Sequence, residues 1–266
     1  MTPPLQVAKP SNIPLDQAYM STKDESPVLT DNSTYRAAIG SLLYISTNTR
    51  LDIAAVTSIL SRKVSKPTVR DWNEVKRVMR YLKGTDQLML VLGTGTNTQT
   101  LSTTIYVDAD WAGDCVDRKS NSGYALYLGG ALVNWSCRKQ QSVSLSSTEA
   151  EYVALSEACQ EVIVLRRLLS SIGKPAENAT MIYEDNQSAI KLVNADRVTR
   201  RSKHIETRHH YVRELQQKQE ISVQYCPTEH MIADILTKPL GPHKIRDFRT
   251  GLGLTDAATI QFEEEC

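Results

Sequence analysis

The stretch 104-TIYVDADWAGD-114 constrains this chain most. Ile105 and Val107 alternate with Tyr106 as in a buried strand, yet the run ends in Asp108, Asp110 and Asp114. Side chains alternate along a strand, so Asp108 shares a face with Tyr106 and Asp110. A core strand that delivers carboxylates to its end fits an open α/β sheet, where sites gather at strand ends.

The texture on either side supports that class. Strands are predicted at 104–110, 122–129 and 131–138, the last two joined by a Gly129-Gly130 turn. A long helix at 147–172, stopped by Gly173 and Pro175, precedes a strand at 179–185 and a helix at 187–194. A basic stretch leads into a helix at 206–218, then a strand at 221–226 and a helix from about 230. Three strands in meander followed by strand–helix units imply α/β structure, a mixed five-stranded sheet flanked by helices with strand two antiparallel to the rest. Upstream, apolar spacing predicts helices beginning near Tyr35, over 51–63 and over 71–84. The expected organisation is an extended lead-in at 1–30, a smaller mainly helical region at 31–92, and a linker or hairpin edge at 93–103. The α/β domain then runs over 104–240, and a C-terminal helix and tail over 241–266.

Bulk properties narrow the class further. The 266 residues carry a formal net charge of +1, so nucleic-acid binding has to come from local patches. No apolar run approaches the ~20 residues that a bilayer core requires, and no membrane partner is expected. The N-terminus lacks the pattern of a secretory signal. Five scattered cysteines without a CxxC suggest a reducing, intracellular compartment rather than a disulfide framework.

Four acids occupy special places in the alternation. Asp108 ends the first sheet strand and Asp185, in 181-MIYEDNQSAI-190, ends the fourth. On the long helix, steps of four and three from Glu151 reach Leu155, Ala158, Val162, Leu165 and Leu169, whereas Glu149 heads a mixed face. Glu151 therefore tops the buried stripe, and a carboxylate there is costly unless something pairs with it. Glu149 is explained by the preference of acids for a first helical turn. Asp234 is expected in the opening turn of the last helix. Clustered carboxylates raise one another's pKa, and hard divalent cations relieve the repulsion.

The motifs YVDADWAGD, DRKSNSGYALYLGG, WSCRKQQSVSLSSTEAEYVAL, EDNQSAI, KHIETRHHYVRE and ADILTKPL, in this order over roughly 104–240, resemble the ribonuclease H domain of copia-type retrotransposon Pol polyproteins. YRAAIGSLLYISTNTRLDIA and RVMRYLKGT resemble the thumb and connection of the attached reverse transcriptase. The resemblance implies an RNase H fold, two Mg²⁺ or Mn²⁺ ions, and cleavage of the RNA strand of an RNA–DNA hybrid. It carries the catalytic and metal-binding roles to Asp108, Glu151, Asp185 and Asp234. It implies as partners the hybrid and the palm and fingers of the same polyprotein, in a cytoplasmic virus-like particle or the nucleus. No polymerase activity is expected. A polymerase YxDD motif has adjacent aspartates, here separated by Ala109, and the preceding polymerase strand with its aspartate is missing upstream.

Substrate contacts are expected from backbone-binding cations. The segment 197–214 sets six Arg/Lys against two Glu, with Arg200, Arg201, Lys203 and His204 as candidates. His204 matches the copia pattern and stays outside the catalytic set. Arg118, Lys119 and Ser120 form a second candidate patch. Asn186, Gln187 and Ser188 follow Asp185 and suit the RNA 2′-OH, although Asn186 or Ser188 equally suits a helix cap. Three rival readings accompany this one. Zinc at Cys226 and the histidines lacks a second nearby cysteine. An integrase-type triad would use Glu220, which lies beyond Asp185 at close to the integrase spacing, and would leave Glu151 and Asp234 unexplained. A non-catalytic, transposon-derived binding or structural remnant is the third.

Overall fold

The computed structural model describes residues 8–92, 101–195, 206–256 and 258. In chain order its elements are α1 (Ser33–Asn48), α2 (Ala54–Ser61), α3 (Val69–Lys83), β1 (Leu88–Leu90), β2 (Thr103–Asp110), β3 (Asn121–Leu128) and β4 (Ala131–Lys139). There follow α4 (Ser147–Ser171), β5 (Thr180–Glu184), α5 (Gln187–Val193), α6 (Glu206–Gln217), β6 (Ile221–Tyr225), α7 (Pro242–Gly251) and β7 (Leu254–Asp256). The chain separates into two compact units, Met1–Val91 with Lys238–Cys266, and Leu92–Thr237.

The first unit is mainly helical. Tyr35, Ile39 and Leu42 of α1 are buried, as are Ile59 and Leu60 of α2 and Val75, Val78 and Tyr81 of α3. Thr68 starts α3 with a reciprocal cap, its hydroxyl accepting the Asp71 N–H while Asp71 accepts the Thr68 N–H. A buried ion pair, Arg50–Asp52 at 2.8 Å, is completed by the Tyr81 hydroxyl, which donates to Asp52 at 2.6 Å. The lead-in differs from expectation. Leu15 and Tyr19 are buried, and the Tyr19 hydroxyl donates to Asp71 at 2.5 Å. Two isolated apolar residues anchor this segment without any periodicity. β1 and β7 pair antiparallel, and three-residue strands are too short to announce themselves by alternation.

The second unit is a five-stranded sheet in the order β4-β3-β2-β5-β6. β3 runs antiparallel to β2 and β4, while β2, β5 and β6 are mutually parallel. This is the RNase H-like architecture. Gly129 and Gly130 turn β3 into β4 with positive φ of 57° and 81°. On one face Ile105, Val107, Leu126 and Ile182 pack with Leu155, Ala158 and Val162 of α4 and with Val212 of α6. On the other, Tyr106 and Tyr183 stack 4.9 Å apart and pack with Cys226, Met231 and Ala233.

The helix expected from about 230 is replaced by two 3₁₀ turns, Thr228–His230 and Ile232–Leu236. Pro239 limits the C-terminal end of this segment, because the residue before a proline disfavours the α region. The second turn lies against β2 and β3. Gly123 permits that approach: a Cβ there would sit 2.7 Å from the Thr237 methyl and 2.9 Å from the Leu236 Cβ. Gly123→Ala is therefore expected to destabilise the second unit by about 1–3 kcal/mol, the usual effect of overpacking. Urea denaturation checks this, and parental stability would contradict the packing described.

Candidate metal centre

Each acid of the centre is delivered by a different element of the second unit. Asp108 pairs across the sheet with Gly123 and is buried. Asp185 immediately follows β5, the neighbour of β2. Glu151 lies one turn into α4, and Asp234 sits within the 3₁₀ turn Ile232–Leu236; both are buried. One carboxylate oxygen each of Asp108, Asp185 and Asp234 lie within 4.8 Å of one another. A second group with the same spacing joins Glu151, Glu184 and Asp185. Asp185 belongs to both groups.

Neutral groups hold the acids in place. The Thr237 hydroxyl hydrogen-bonds Asp108 Oδ2 and also approaches the Asp234 carbonyl at 3.1 Å. Thr237 is fully buried, and its own carbonyl accepts from Asn121 Nδ2 at 3.2 Å. The Thr228 hydroxyl donates to Asp185 at 2.8 Å. Thr237 thus ties the strand acid to the turn acid. Its role depends on the 3₁₀ turn, which gives no periodic signal in the sequence.

Glu184 is the other residue missed by sequence reasoning. Alternation places it on the face of Ile182, among core residues, and it is fully buried. Its Oε1 accepts the Asn186 N–H at 3.0 Å. Burial pushes its carboxyl well above the usual range, and the charges of Asp108 and Asp185 push the same way. A charged residue at a core-facing strand position was the available signal.

The other acids of the opening motif have separate tasks. Asp110 folds over Gly113, where a Cβ would meet its carboxylate. Asp114 pairs with Lys139 at 2.5 Å and accepts the Val116 N–H, bracing the β2–β3 turn. Glu149, at the head of the mixed face, is buried, because the first turns of α4 are enclosed on most sides. It accepts the Leu145 N–H at 2.6 Å, and its own N–H bonds the N-cap Ser146. That commits it to capping.

The substrate-contact candidates divide. Arg118 is exposed in a left-handed conformation, φ 59°, and Lys119 is half-buried beside it. Ser120 is a correction: it is fully buried and its hydroxyl accepts the Ala112 N–H at 3.0 Å, so it braces the turn instead of facing a phosphate. Asn186 caps α5, its Oδ1 accepting from Ser188 and Ala189, while Gln187 and Ser188 are exposed beside it. Arg200, Arg201, Lys203 and His204 lie outside the described residues. Trp111, 47% exposed, follows the sheet's acid-bearing end and donates its Nε1–H to the Ser144 carbonyl at 3.0 Å.

The rival readings fare differently. Among the described residues, no cysteine or histidine joins a candidate metal group. His209 is fully buried, with Nε2 2.8 Å from the Leu192 carbonyl. Glu220 precedes β6, and its carbonyl accepts from Thr180 at the start of β5. It therefore lies at the opposite end of the sheet from Asp185, which rules out a shared triad.

No family model matches the chain. The Retrovirus-related Pol polyprotein from transposon RE2 of Arabidopsis thaliana is 36% identical over 247 residues, 93% of this chain and 17% of that protein. The chain belongs to the copia-type Pol polyprotein family. It spans less than a fifth of that relative's length. Secreted RxLR effector protein 161 of Plasmopara viticola is 45% identical over 134 residues, half of this chain and 92% of that protein. Among solved structures, LC11-RNase H1 in complex with RNA/DNA hybrid aligns with a TM-score of 0.40 and 13% identity, over 51% of this chain and 94% of its own. Among the described residues of this Pol-family chain, no helix is long and apolar enough to cross a membrane.

Glu184 gives the metal-free protein a pH signature. Burial raises its pKa on folding, so the folded state keeps a proton that the unfolded state releases above the ordinary glutamate pKa of 4.5. Its contribution is full below that pH and is lost as pH rises towards the folded pKa. Metal-free Glu184→Gln should show a smaller loss of stability than the parent over this window. Thermal melts across pH check it, and identical slopes would contradict the burial described.

Proposed function

We propose that this chain is the RNase H part of a copia-type Pol polyprotein and hydrolyses the RNA strand of RNA–DNA hybrids with divalent metal. The observation that carries the reading is the convergence of Asp108, Asp185 and Asp234 within 4.8 Å, with Glu151 in the adjoining group. The donors are all carboxylates, the chemistry that Mg²⁺ and Mn²⁺ prefer. The buried, unpartnered Glu184 Oε2 beside them also fits a cation. When bound, such ions lower the pKa of an attacking water and neutralise a departing 3′-oxygen.

On this reading, Asp108, Asp185 and Asp234 would hold one ion, and Asp185 with Glu151 would hold the other. Thr237 and Asn121 keep the 3₁₀ turn against β2 so that Asp234 stays beside Asp108. Water adds across the scissile P–O3′ bond. Its oxygen remains on a 5′-phosphate, and the departing oxygen takes up a proton to leave a 3′-hydroxyl. Arg118 and Lys119 suit the phosphate backbone, and the exposed Gln187 and Ser188 suit the 2′-OH that separates RNA from DNA. The basic segment with Arg200, Arg201, Lys203 and His204 would extend that contact. The helical region at 31–92 is read as thumb and connection, so the remaining partners are the palm and fingers of the same polyprotein.

Purified protein given labelled hybrid, duplex DNA and duplex RNA, with Mg²⁺ and with Mn²⁺, tests the reading. The hybrid alone should be cut. Asp108→Asn and Glu151→Gln should each lower the rate by about 100-fold or more, above the 10–100-fold cost of changes one shell further out. Glu149→Gln, which keeps an acceptor for the Leu145 N–H, should stay close to the parent. A parent that leaves hybrid intact in both metals would mark the chain as a non-catalytic remnant.

A further inference from the structure

We infer that Glu184 is a fifth metal-binding carboxylate and completes the second cation site with Glu151 and Asp185. The inference rests on the reading of the centre as a divalent-metal site and adds a ligand to it.

Two independent observations meet at this residue. The first is grouping: carboxylate oxygens of Glu151, Glu184 and Asp185 lie within 4.8 Å of one another, in a set distinct from that of Asp108, Asp185 and Asp234. The second is an unmet demand. Glu184 is fully buried, and its Oε2 has no hydrogen-bond partner among the described residues. Its other oxygen takes the Asn186 N–H, and none of the described ion pairs includes it. A buried carboxylate in that state is costly unless a proton or a cation occupies the free oxygen.

The chain places this oxygen by a simple device. β5 ends at Glu184, which shares the core face of Ile182, and Asp185 is the first residue beyond the strand. Asp185 joins the strand and turn acids, while Glu184 reaches the face covered by α4, where Glu151 stands on the first turns. Glu184 thereby serves the second group, and Asp185 is common to both. Oxygen donors alone, three of them charged, suit a hard divalent ion such as Mg²⁺ or Mn²⁺.

The test is a calorimetric titration of the whole chain with Mn²⁺ alone at neutral pH, without nucleic acid. The parent should take up two ions. Glu184→Gln keeps the shape and the Asn186 contact but removes the charge, and it should weaken one of the two binding events by at least about tenfold. Glu184→Asp, which keeps the charge but withdraws it by a methylene, should weaken the same event less. Circular dichroism establishes that each variant is folded. Two events of parental affinity in Glu184→Gln would overturn the inference while leaving the metal centre standing. Equal losses in the Gln and Asp variants would overturn it in favour of a structural role. A parent that binds no Mn²⁺ would overturn the metal-site reading beneath it.

Discussion

Mutual repulsion of carboxylates at one end of a sheet is the constraint on which the second unit depends. Asp108, Glu151, Glu184 and Asp234 are all buried, and Asp185 stands between them. Like charges so close oppose folding, and the low-dielectric surroundings sharpen the effect. A chain that keeps such a cluster needs a scaffold stiff enough to hold it and a counter-charge to relieve it.

The scaffold is built from neutral contacts. Gly123 leaves space for Leu236 and Thr237 to lie on the sheet, and Thr237 then links Asp108 to the backbone of the turn that carries Asp234. Ser146 and Glu149 cap α4 and fix the height at which Glu151 enters the cluster. Asp114, Lys139 and Ser120 brace the loop after β2. None of these groups needs to touch substrate. Together they hold the acids at a spacing that suits small divalent ions, and this links the fold to the proposed chemistry.

The sequence was most legible where periodicity is strong. The sheet strands and α4 follow from alternation and from the apolar stripe below Glu151, while the adjacency of β2 and β5 is seen in the fold. Legibility fell where geometry is local. The 3₁₀ turn at Asp234 reads as a helix in the sequence, and Thr237 is visible only through that turn. Glu149 heads a mixed face by helical spacing, which does not show that the start of α4 is enclosed. Ser120 looked like part of a basic surface patch, yet the tight turn draws it inside. Glu184 was hidden by its neighbour: Asp185 carried the motif, and the charged residue on the core-facing side of the strand passed without question.

The central claim is that these acids form a cation centre with Asp185 at its middle. Anomalous diffraction from crystals of the chain soaked in Mn²⁺ addresses it directly. The account predicts two anomalous peaks roughly 3.5–4 Å apart. One should be bound by Asp108, Asp185 and Asp234, the other by Glu151, Glu184 and Asp185. Mn²⁺ peaks elsewhere on the protein, with none at the end of β2 and β5, would contradict it.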